Sequence, residues 1–242
     1  MDKELLFLPE TDSTNLELRR MAAEGADEGA AVWAARQTAG RGRLGRSFSS
    51  PEGGVYLSLL LRQNVQPERD LLLTPAAAVA AARAVERCCA LRCGIKWPND
   101  LLAGGRKLCG ILTENFYAHG KRFLAIGIGV NLNTADFPAE LREIAVSARQ
   151  LTGRETAPEE LARTLLQELR DAVAAARRGD PALLEEYRSR CLNLGRELRI
   201  LQDGQSRPAR GIGVNPDYSL AVELPDGSRE DLRFGEVSIR FS

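Results

Sequence analysis

The pattern of apolar segments changes after Gly195, and this change constrains the fold more than any other feature of the sequence. Beyond Gly195, short apolar runs alternate with turn sequences such as Asp203-Gly204 and Pro225-Asp226-Gly227. Short strands joined by tight turns are typical of small antiparallel sheets and barrels. The sequence therefore predicts a separate C-terminal β-unit at residues 195–242. Its strands are expected at Leu198–Leu201, Ala209–Val214, Leu220–Leu224 and Val237–Phe241.

Residues 1–194 mix helix and strand signals. From Pro158 to Arg178 apolar side chains recur at helical spacing, which predicts an amphipathic helix. Thr74 and Pro75 have the residue types preferred at an N-cap and a first helical position, and we expect that helix to stop at Gly94. Together these signals predict an α+β (mixed α/β) domain. Its main strands are expected at Leu5–Leu8, Ala31–Arg36, Val55–Arg62, Lys107–Phe116 and Phe123–Leu132.

Composition narrows the class of function. Lys plus Arg number 33 and Asp plus Glu also number 33, so no overall positive field attracts DNA or an anionic membrane. The most apolar stretch, Leu71 to Ala82, is too short to span a bilayer. The N-terminal residues lack the pattern of a signal peptide, and we expect a cytoplasmic protein. The chain has one histidine, His119, which is expected in a surface turn rather than in catalysis.

The clearest local signal lies in residues 37–54, here called the arginine loop. Within it, Gly40-Arg41-Gly42-Arg43-Leu44-Gly45-Arg46 combines glycines, which let a backbone approach a ligand closely, with forked guanidinium donors for phosphate oxygens. The string also matches Gly-x-Gly-x-x-Gly, but a dinucleotide site needs a helix after the last glycine. Ser47 to Gly54 cannot form one. We expect an anion-binding loop whose arginines repel one another, and which is therefore mobile, until a ligand binds.

Three further motifs carry residue types suited to the same chemistry. Lys96-Trp97-Pro98-Asn99-Asp100 offers a flat apolar wall beside oxygen atoms for a hard cation such as Mg²⁺. Lys107-Leu108-Cys109-Gly110-Ile111-Leu112-Thr113-Glu114 places a lysine at the start of a strand. Gly127-Ile128-Gly129-Val130-Asn131 is a strand that is rich in glycine where packing alone would favour valine or isoleucine.

The arginine loop and these three motifs, together with Ser13-Thr14-Asn15 and the terminal segment Gly235 to Arg240, follow one another in the same order as the motifs of the biotin protein ligases. The sequence therefore resembles that family. The resemblance runs from Thr11 to Arg240 and implies a class II synthetase-like catalytic domain at 1–194, followed by an SH3-like barrel at 195–242. It implies that ATP activates biotin as biotinyl-5′-AMP, and that a lysine of a biotin carboxyl carrier domain then accepts the biotinyl group. Because the first motif begins at Thr11, the resemblance is to the single-function type without an N-terminal DNA-binding domain. A homodimer is possible.

The resemblance also assigns roles to individual residues. The catalytic set is Lys107, Arg43 and Asp100. The roles of Asp100 follow from its carboxylate rather than from the resemblance: it is the candidate base or orienting group for the acceptor lysine and the expected contact for Mg²⁺. The biotin-binding set is Ser13, Thr14, Asn15, Gln37, Gly40, Arg41, Gly42, Arg43, Lys107, Gly110 and Gly127. The nucleotide-binding set is Arg43, Arg46, Phe48, Trp97, Asn99, Lys107, Gly129, Asn131 and Arg240.

The sequence departs from the family pattern at three positions. Phe48 stands where a tryptophan is usual, Leu44 where many members have another arginine, and Cys109 where a smaller residue is usual. Two alternatives remain open. A lipoate–protein ligase would share the catalytic architecture, and a nucleic-acid-binding module could use the arginine loop and the barrel.

Overall fold

A computed structural model describes residues 5–63, 72–202, 205–233 and 235–239, and these form two β-sheets flanked by α-helices. The larger sheet contains β1 (Leu5–Thr11), β2 (Ala31–Gln37), β3 (Val55–Arg62), β4 (Gly94–Lys96), β5 (Asp100–Ala103), β6 (Arg106–Ala118) and β7 (Lys121–Val130). The helices are α1 (Thr14–Ala23), α2 (Leu73–Cys89), α3 (Ala148–Thr152), α4 (Pro158–Arg178) and α5 (Pro181–Arg190).

The larger sheet has the strand order β1-β2-β3-β7-β6-β5-β4. Only β1 and β2 pair in parallel, and every other neighbouring pair is antiparallel. The predicted α+β architecture is confirmed, and each predicted strand of this sheet is present with bounds close to those expected.

Helices cover both faces of the larger sheet. Because side chains alternate along a strand, Ala31 and Trp33 of β2 face the core that contains α2 and α4, whereas Val32 packs with Leu18 of α1 on the opposite face. Helix α2 is rich in alanine, and its residues 76–82 are fully buried. These small side chains let α4 pack closely against α2. The functional motifs of β6 and β7 lie beneath the α1 face.

The bounds of α2 correct the sequence expectation. The helix begins at Leu73, with Leu72 as its N-cap, so Thr74 is not the cap. The Thr74 hydroxyl instead lies 2.9 Å from the Thr113 hydroxyl, and this hydrogen bond ties the helix to β6. The helix ends at Cys89, before Gly94, because Ala90 adopts a left-handed conformation with φ of 50°.

The C-terminal residues form a second sheet, made of β8 (Glu197–Gln202), β9 (Gln205–Val214), β10 (Leu220–Glu223), β11 (Arg229–Leu232) and β12 (Glu236–Ile239). The sheet is antiparallel, with the order β11-β10-β9-β8-β12. Within the described ranges no pairing joins β11 to β12, so the sheet is open rather than a closed barrel. Strand β11, which is charged and mostly exposed, was not predicted from the sequence.

The second sheet shares a continuous apolar core with the rest of the chain. Leu198 and Leu220 belong to the same buried cluster as α2 and α4. Helix α5 strengthens the contact, because the Arg188 guanidinium donates two hydrogen bonds, of 2.8 and 2.6 Å, to the Val214 carbonyl. Among the described helices, none has the length and apolar composition of a membrane span.

Candidate active site

A cleft of about 140 Å³ lies between the arginine loop, α1 and the middle of the larger sheet. Residues from each of the sequence motifs line it. Of the predicted site residues, Gly40 and Asn131 do not line the cleft, and Arg240 lies outside the described residues. The predicted residues that line it are Ser13, Thr14, Asn15, Gln37, Arg41, Gly42, Arg43, Arg46, Phe48, Trp97, Asn99, Asp100, Lys107, Gly110, Gly127 and Gly129.

A hydrogen-bonded network of side chains, buried at Thr14, Asn15 and Ser58 and half-buried at Gln37, forms one end of the cleft and is here called the floor. The Gln37 Oε1 atom accepts hydrogen bonds from the Thr14 amide at 2.9 Å and from its hydroxyl at 3.1 Å. The Ser58 hydroxyl lies 2.7 Å from both Thr14 Oγ1 and Asn15 Oδ1. Ser58 was missed in the sequence analysis. Its only signal is a polar residue in the middle of the otherwise apolar strand Val55–Arg62, where burial of a hydroxyl requires a partner.

Glycines keep the cleft open. A Cβ atom at Gly127 would lie 2.5 Å from Asn15 Oδ1, and one at Gly129 or Gly110 would lie 2.6 or 2.8 Å from the Phe48 ring. Phe48 therefore rests directly on the backbone of β6 and β7. Gly40 has a different role, because its Cβ would lie 2.3 Å from the Phe48 carbonyl. It permits the arginine loop to close on itself.

The arginine loop is a compact hairpin. The Phe48 amide donates to the Gly40 carbonyl at 2.9 Å, and the Gly42 amide donates to the Arg46 carbonyl at 2.7 Å. The tip turns through Leu44 and Gly45, which have φ values of 57° and 74°. No helix follows Gly45 up to β3, which agrees with the argument against a dinucleotide fingerprint.

Acidic and amide side chains hold the cations of the cleft, which corrects the expectation that the loop arginines only repel one another. Arg41 pairs with Glu114 at 3.0 Å, and the Arg43 guanidinium donates to Asn99 Oδ1 at 3.2 Å. The Lys107 ammonium lies 2.7 Å from Asp100 Oδ1. The contact is an ion pair, since Asp100 Oδ1 has no hydrogen-bond partner among the described residues. The ammonium also lies 5.5 Å from the centre of the Phe48 ring.

Trp97 and Asn131 are buried, and their side chains donate hydrogen bonds to backbone carbonyls near the cleft. The Trp97 side chain was expected to offer a flat wall to a ligand, but the residue is only 2% exposed and its indole N–H donates to the Tyr218 carbonyl at 2.9 Å. The Asn131 amide donates to the carbonyls of Lys107 and Val146, both at 3.3 Å. Its Oδ1 atom is buried without a hydrogen-bond partner among the described residues, and so retains an acceptor.

Two other reactive residue types do not supply a nucleophile or base to the cleft. His119 lies exposed in the turn between β6 and β7, as expected, and its Nε2 atom is 2.7 Å from the Ala23 carbonyl. Cys109 is fully buried, and burial raises the pKa of its thiol well above the usual value. Cys109 therefore stays protonated at neutral pH.

We expect Trp97→Phe to destabilise the protein by about 1–3 kcal/mol, because the buried Tyr218 carbonyl loses its donor. Chemical unfolding measures the change in the free energy of unfolding. Trp33→Phe in the same core is the control, since it removes the same ring atoms near the opposite edge of the sheet. An equal loss of stability in both variants would contradict a specific role for the Trp97–Tyr218 hydrogen bond.

The chain is similar to known proteins both in sequence and in structure. Residues 7–133 match the model of the biotin/lipoate A/B protein ligase family. The chain is 33% identical over 238 residues to the bifunctional ligase/repressor BirA of Bacillus subtilis, covering 95% of this chain and 72% of that protein. It is 35% identical over 229 residues to the biotin–[acetyl-CoA-carboxylase] ligase of Mycobacterium tuberculosis, covering 92% and 84%. The biotin protein ligase from Aquifex aeolicus in complex with biotin and ATP superposes with a TM-score of 0.83 at 28% identity, covering 99% of this chain and all of that one.

Proposed function

The chain belongs to the biotin/lipoate A/B protein ligase family, and we propose from this premise that it is an ATP-dependent biotin ligase. It activates biotin as biotinyl-5′-AMP and transfers the biotinyl group to a lysine of a biotin carboxyl carrier domain. The observation that carries this proposal is the placement of Lys107, Arg43 and a buried polar floor in one cleft. The lipoate ligase alternative has less support, because the relative from Mycobacterium tuberculosis and the solved structure described above are named for biotin.

In the first half-reaction, an oxygen of the biotin carboxylate attacks the α-phosphorus of ATP, and pyrophosphate leaves. Two anions must meet, so the main barrier is their repulsion together with the charge that develops on the phosphate. Lys107 and Arg43 supply positive charge at the cleft, and each is already oriented, by Asp100 and Asn99 respectively. Orientation before the reaction lowers the cost of reorganising these groups.

In the second half-reaction, the neutral amine of the acceptor lysine attacks the acyl carbon of the adenylate, and AMP leaves as the amine loses its proton. We propose Asp100 as the carboxylate that orients this amine. When ATP occupies the cleft, Asp100 is also the residue that would contact Mg²⁺ carried by the phosphates. One carboxylate plus phosphate oxygens is a donor set that suits this ion. In the described ranges no cluster of three metal-binding side chains exists, so Mg²⁺ would arrive with the nucleotide.

We propose that biotin and the nucleotide occupy opposite ends of the cleft. The floor residues Thr14, Asn15 and Gln37, together with Ser13, supply donors and acceptors for the polar ring of biotin, and Ser58 supports them from behind. Gly110 and Gly127 give close backbone approach. The nucleotide end includes Arg46, Phe48, Trp97, Asn99 and Gly129. Asn131 is assigned to this end by resemblance, and its side chain is buried behind the cleft. Arg240 is assigned here by resemblance alone.

The C-terminal sheet contributes directly to this cleft, because Gly235 and Val237 are among its lining residues. We propose that residues 1–194 form the catalytic unit and residues 195–242 an SH3-like unit that packs over the nucleotide end. The enzyme is proposed to be cytoplasmic. Formation of a homodimer remains a prediction, which light scattering of the purified protein would test.

Calorimetric titration tests the two-substrate site. We expect biotin to bind stoichiometrically, and to bind with higher affinity when a non-hydrolysable ATP analogue is present, since the two ligands occupy adjacent parts of one cleft. Absence of biotin binding in both titrations would contradict the proposed function.

The arginine loop is expected to become more resistant to proteolysis when biotin and ATP are added. Its internal hydrogen bonds already shape it, but its exposed tip and its glycines leave it with conformational freedom that a bound anion would reduce. Limited digestion with trypsin reports cleavage at Arg41, Arg43 and Arg46, and cleavage after the exposed Arg163 of α4 serves as the internal control. Equal cleavage of the loop with and without ligands would contradict this ordering.

A further inference from the structure

Glu114 lies on β6, at the end of the motif that begins with Lys107, and does not line the cleft. Its side chain is 18% exposed, and its two carboxylate oxygens have different partners. Oε1 forms an ion pair with the Arg41 guanidinium at 3.0 Å, and Oε2 accepts a hydrogen bond from the Asn15 amide nitrogen at 2.9 Å. One carboxylate therefore bridges the arginine loop and the cleft floor.

The contact with Asn15 fixes the direction of its amide. The Asn15 nitrogen faces two acceptors, Glu114 Oε2 and the Leu112 carbonyl at 3.3 Å. Its Oδ1 atom is thereby turned toward the Ser58 hydroxyl and the open backbone of Gly127. An amide with its two ends exchanged would place its oxygen against two other acceptors. Glu114 thus determines that the cleft floor presents an acceptor rather than a donor at this point.

The contact with Arg41 fixes the stem of the arginine loop. Arg41 lies opposite Ser47 in the hairpin, on the side of the loop that faces β6. The Glu114 carboxylate is mostly shielded from solvent, so its ion pair with Arg41 is screened less than one at the surface, and it connects a loop residue to a central strand. Displacing the loop requires this pair to separate, and separation leaves Glu114 with a single partner on the floor.

We propose that Glu114 is a positioning residue that couples recognition of the acid at the floor to the position of the arginine loop. This inference rests on the proposed function, because it takes biotin as the ligand of the floor. Glu114 sets the acceptor that meets the N–H groups of the ureido ring of biotin. Through Arg41 it also holds the loop over the bound acid. It touches neither substrate nor reacting atom.

Glu114→Gln tests the proposal with almost no change in volume. A carboxamide has one acceptor end and one donor end, so the variant must turn its NH₂ toward either Asn15 or Arg41, both of which are donors. We expect the KM for biotin in biotin-dependent pyrophosphate exchange to rise about tenfold, the effect of losing one buried charge-assisted contact. We expect kcat and the KM for ATP to change by less than about twofold, since the contact is made equally in the ground and transition states.

Glu10→Gln is the matched control. Glu10 lies on the edge strand β1 and pairs with Arg36 at 2.9 Å, but both side chains are about half exposed and neither lines the cleft. The same substitution there should leave both KM values unchanged. If Glu114→Gln does not fold, Glu114→Asp provides the second measurement. Its carboxylate keeps the charge but is too short to reach both partners, and we expect a smaller rise in the KM for biotin.

The possible outcomes separate the inference from the proposed function. A wild-type protein without biotin-dependent exchange would contradict the function itself. A wild-type protein that is active, with an unchanged KM for biotin in the folded Glu114 variant, would overturn the positioning role alone. A fall in kcat with both KM values unchanged would also overturn it, because loss of correctly folded enzyme lowers kcat without altering biotin affinity.

Discussion

Replacing Lys107 with alanine is expected to slow formation of biotinyl-5′-AMP by about 30- to 1,000-fold, while biotin affinity falls much less. The Lys107 ammonium lies beside Asp100 and above Phe48, where the carboxylate of biotin and the α-phosphate of ATP are proposed to meet. The charge that it neutralises is largest in the transition state. Losing one such preorganised contact raises the barrier by about 2–4 kcal/mol, which corresponds to this range of rates.

Single-turnover measurement of adenylate formation, together with calorimetry of biotin binding, separates the two effects. The alanine variant leaves the Asp100 carboxylate without its cationic partner. The double variant Lys107→Met/Asp100→Asn removes both charges, and so shows whether the unpaired carboxylate itself causes the loss of rate. We expect the double variant to fold as stably as the wild type and to remain slow. Adenylate formation at near wild-type rate in either variant would contradict the assignment of Lys107.

Arg43→Ala is expected to release biotinyl-5′-AMP about 10- to 100-fold faster than the wild type, the effect of losing one charge-assisted hydrogen bond. Arg43 reaches from the arginine loop to Asn99 in the turn between β4 and β5, and so links the two sides of the cleft. Without this link the loop holds the adenylate less firmly. The released mixed anhydride is reactive, so lysines of unrelated proteins should also become biotinylated.

Release of radiolabelled adenylate from preloaded enzyme and labelling of serum albumin measure the two consequences. Arg36→Ala is the matched control, because Arg36 pairs with Glu10 outside the cleft. Wild-type release together with wild-type albumin labelling in Arg43→Ala would show that the loop arginine does not retain the intermediate.

Features with a local signal in the sequence were predicted well. The regular spacing of leucines gave α4 its observed bounds, Pro158–Arg178. The glycines of β6 and β7 were expected where another group lies close against the backbone. A Cβ atom at these positions would collide with Phe48 or Asn15. The order of the motifs was sufficient to indicate the family. Most of the site residues assigned from these motifs line one cleft in the structure.

Features that depend on tertiary contacts were not predicted. Strand β11 is charged, so it has no apolar alternation, and only pairing with β10 makes it a strand. Trp97 lines the cleft, but nothing nearby in sequence indicates that its indole N–H will donate to the Tyr218 carbonyl. Glu114 acquires its role only when the fold brings it between Asn15 and Arg41, which are distant from it along the chain.

Pyrophosphate exchange into ATP, compared between biotin and lipoate, tests the central claim most directly. The reversible first half-reaction incorporates labelled pyrophosphate into ATP only when the correct acid forms an adenylate in the cleft. We predict exchange that depends on biotin, that is absent with lipoate, and that is lost in Lys107→Met. Exchange supported by lipoate but not by biotin, or no exchange with either acid, would contradict the assignment of this protein as a biotin ligase.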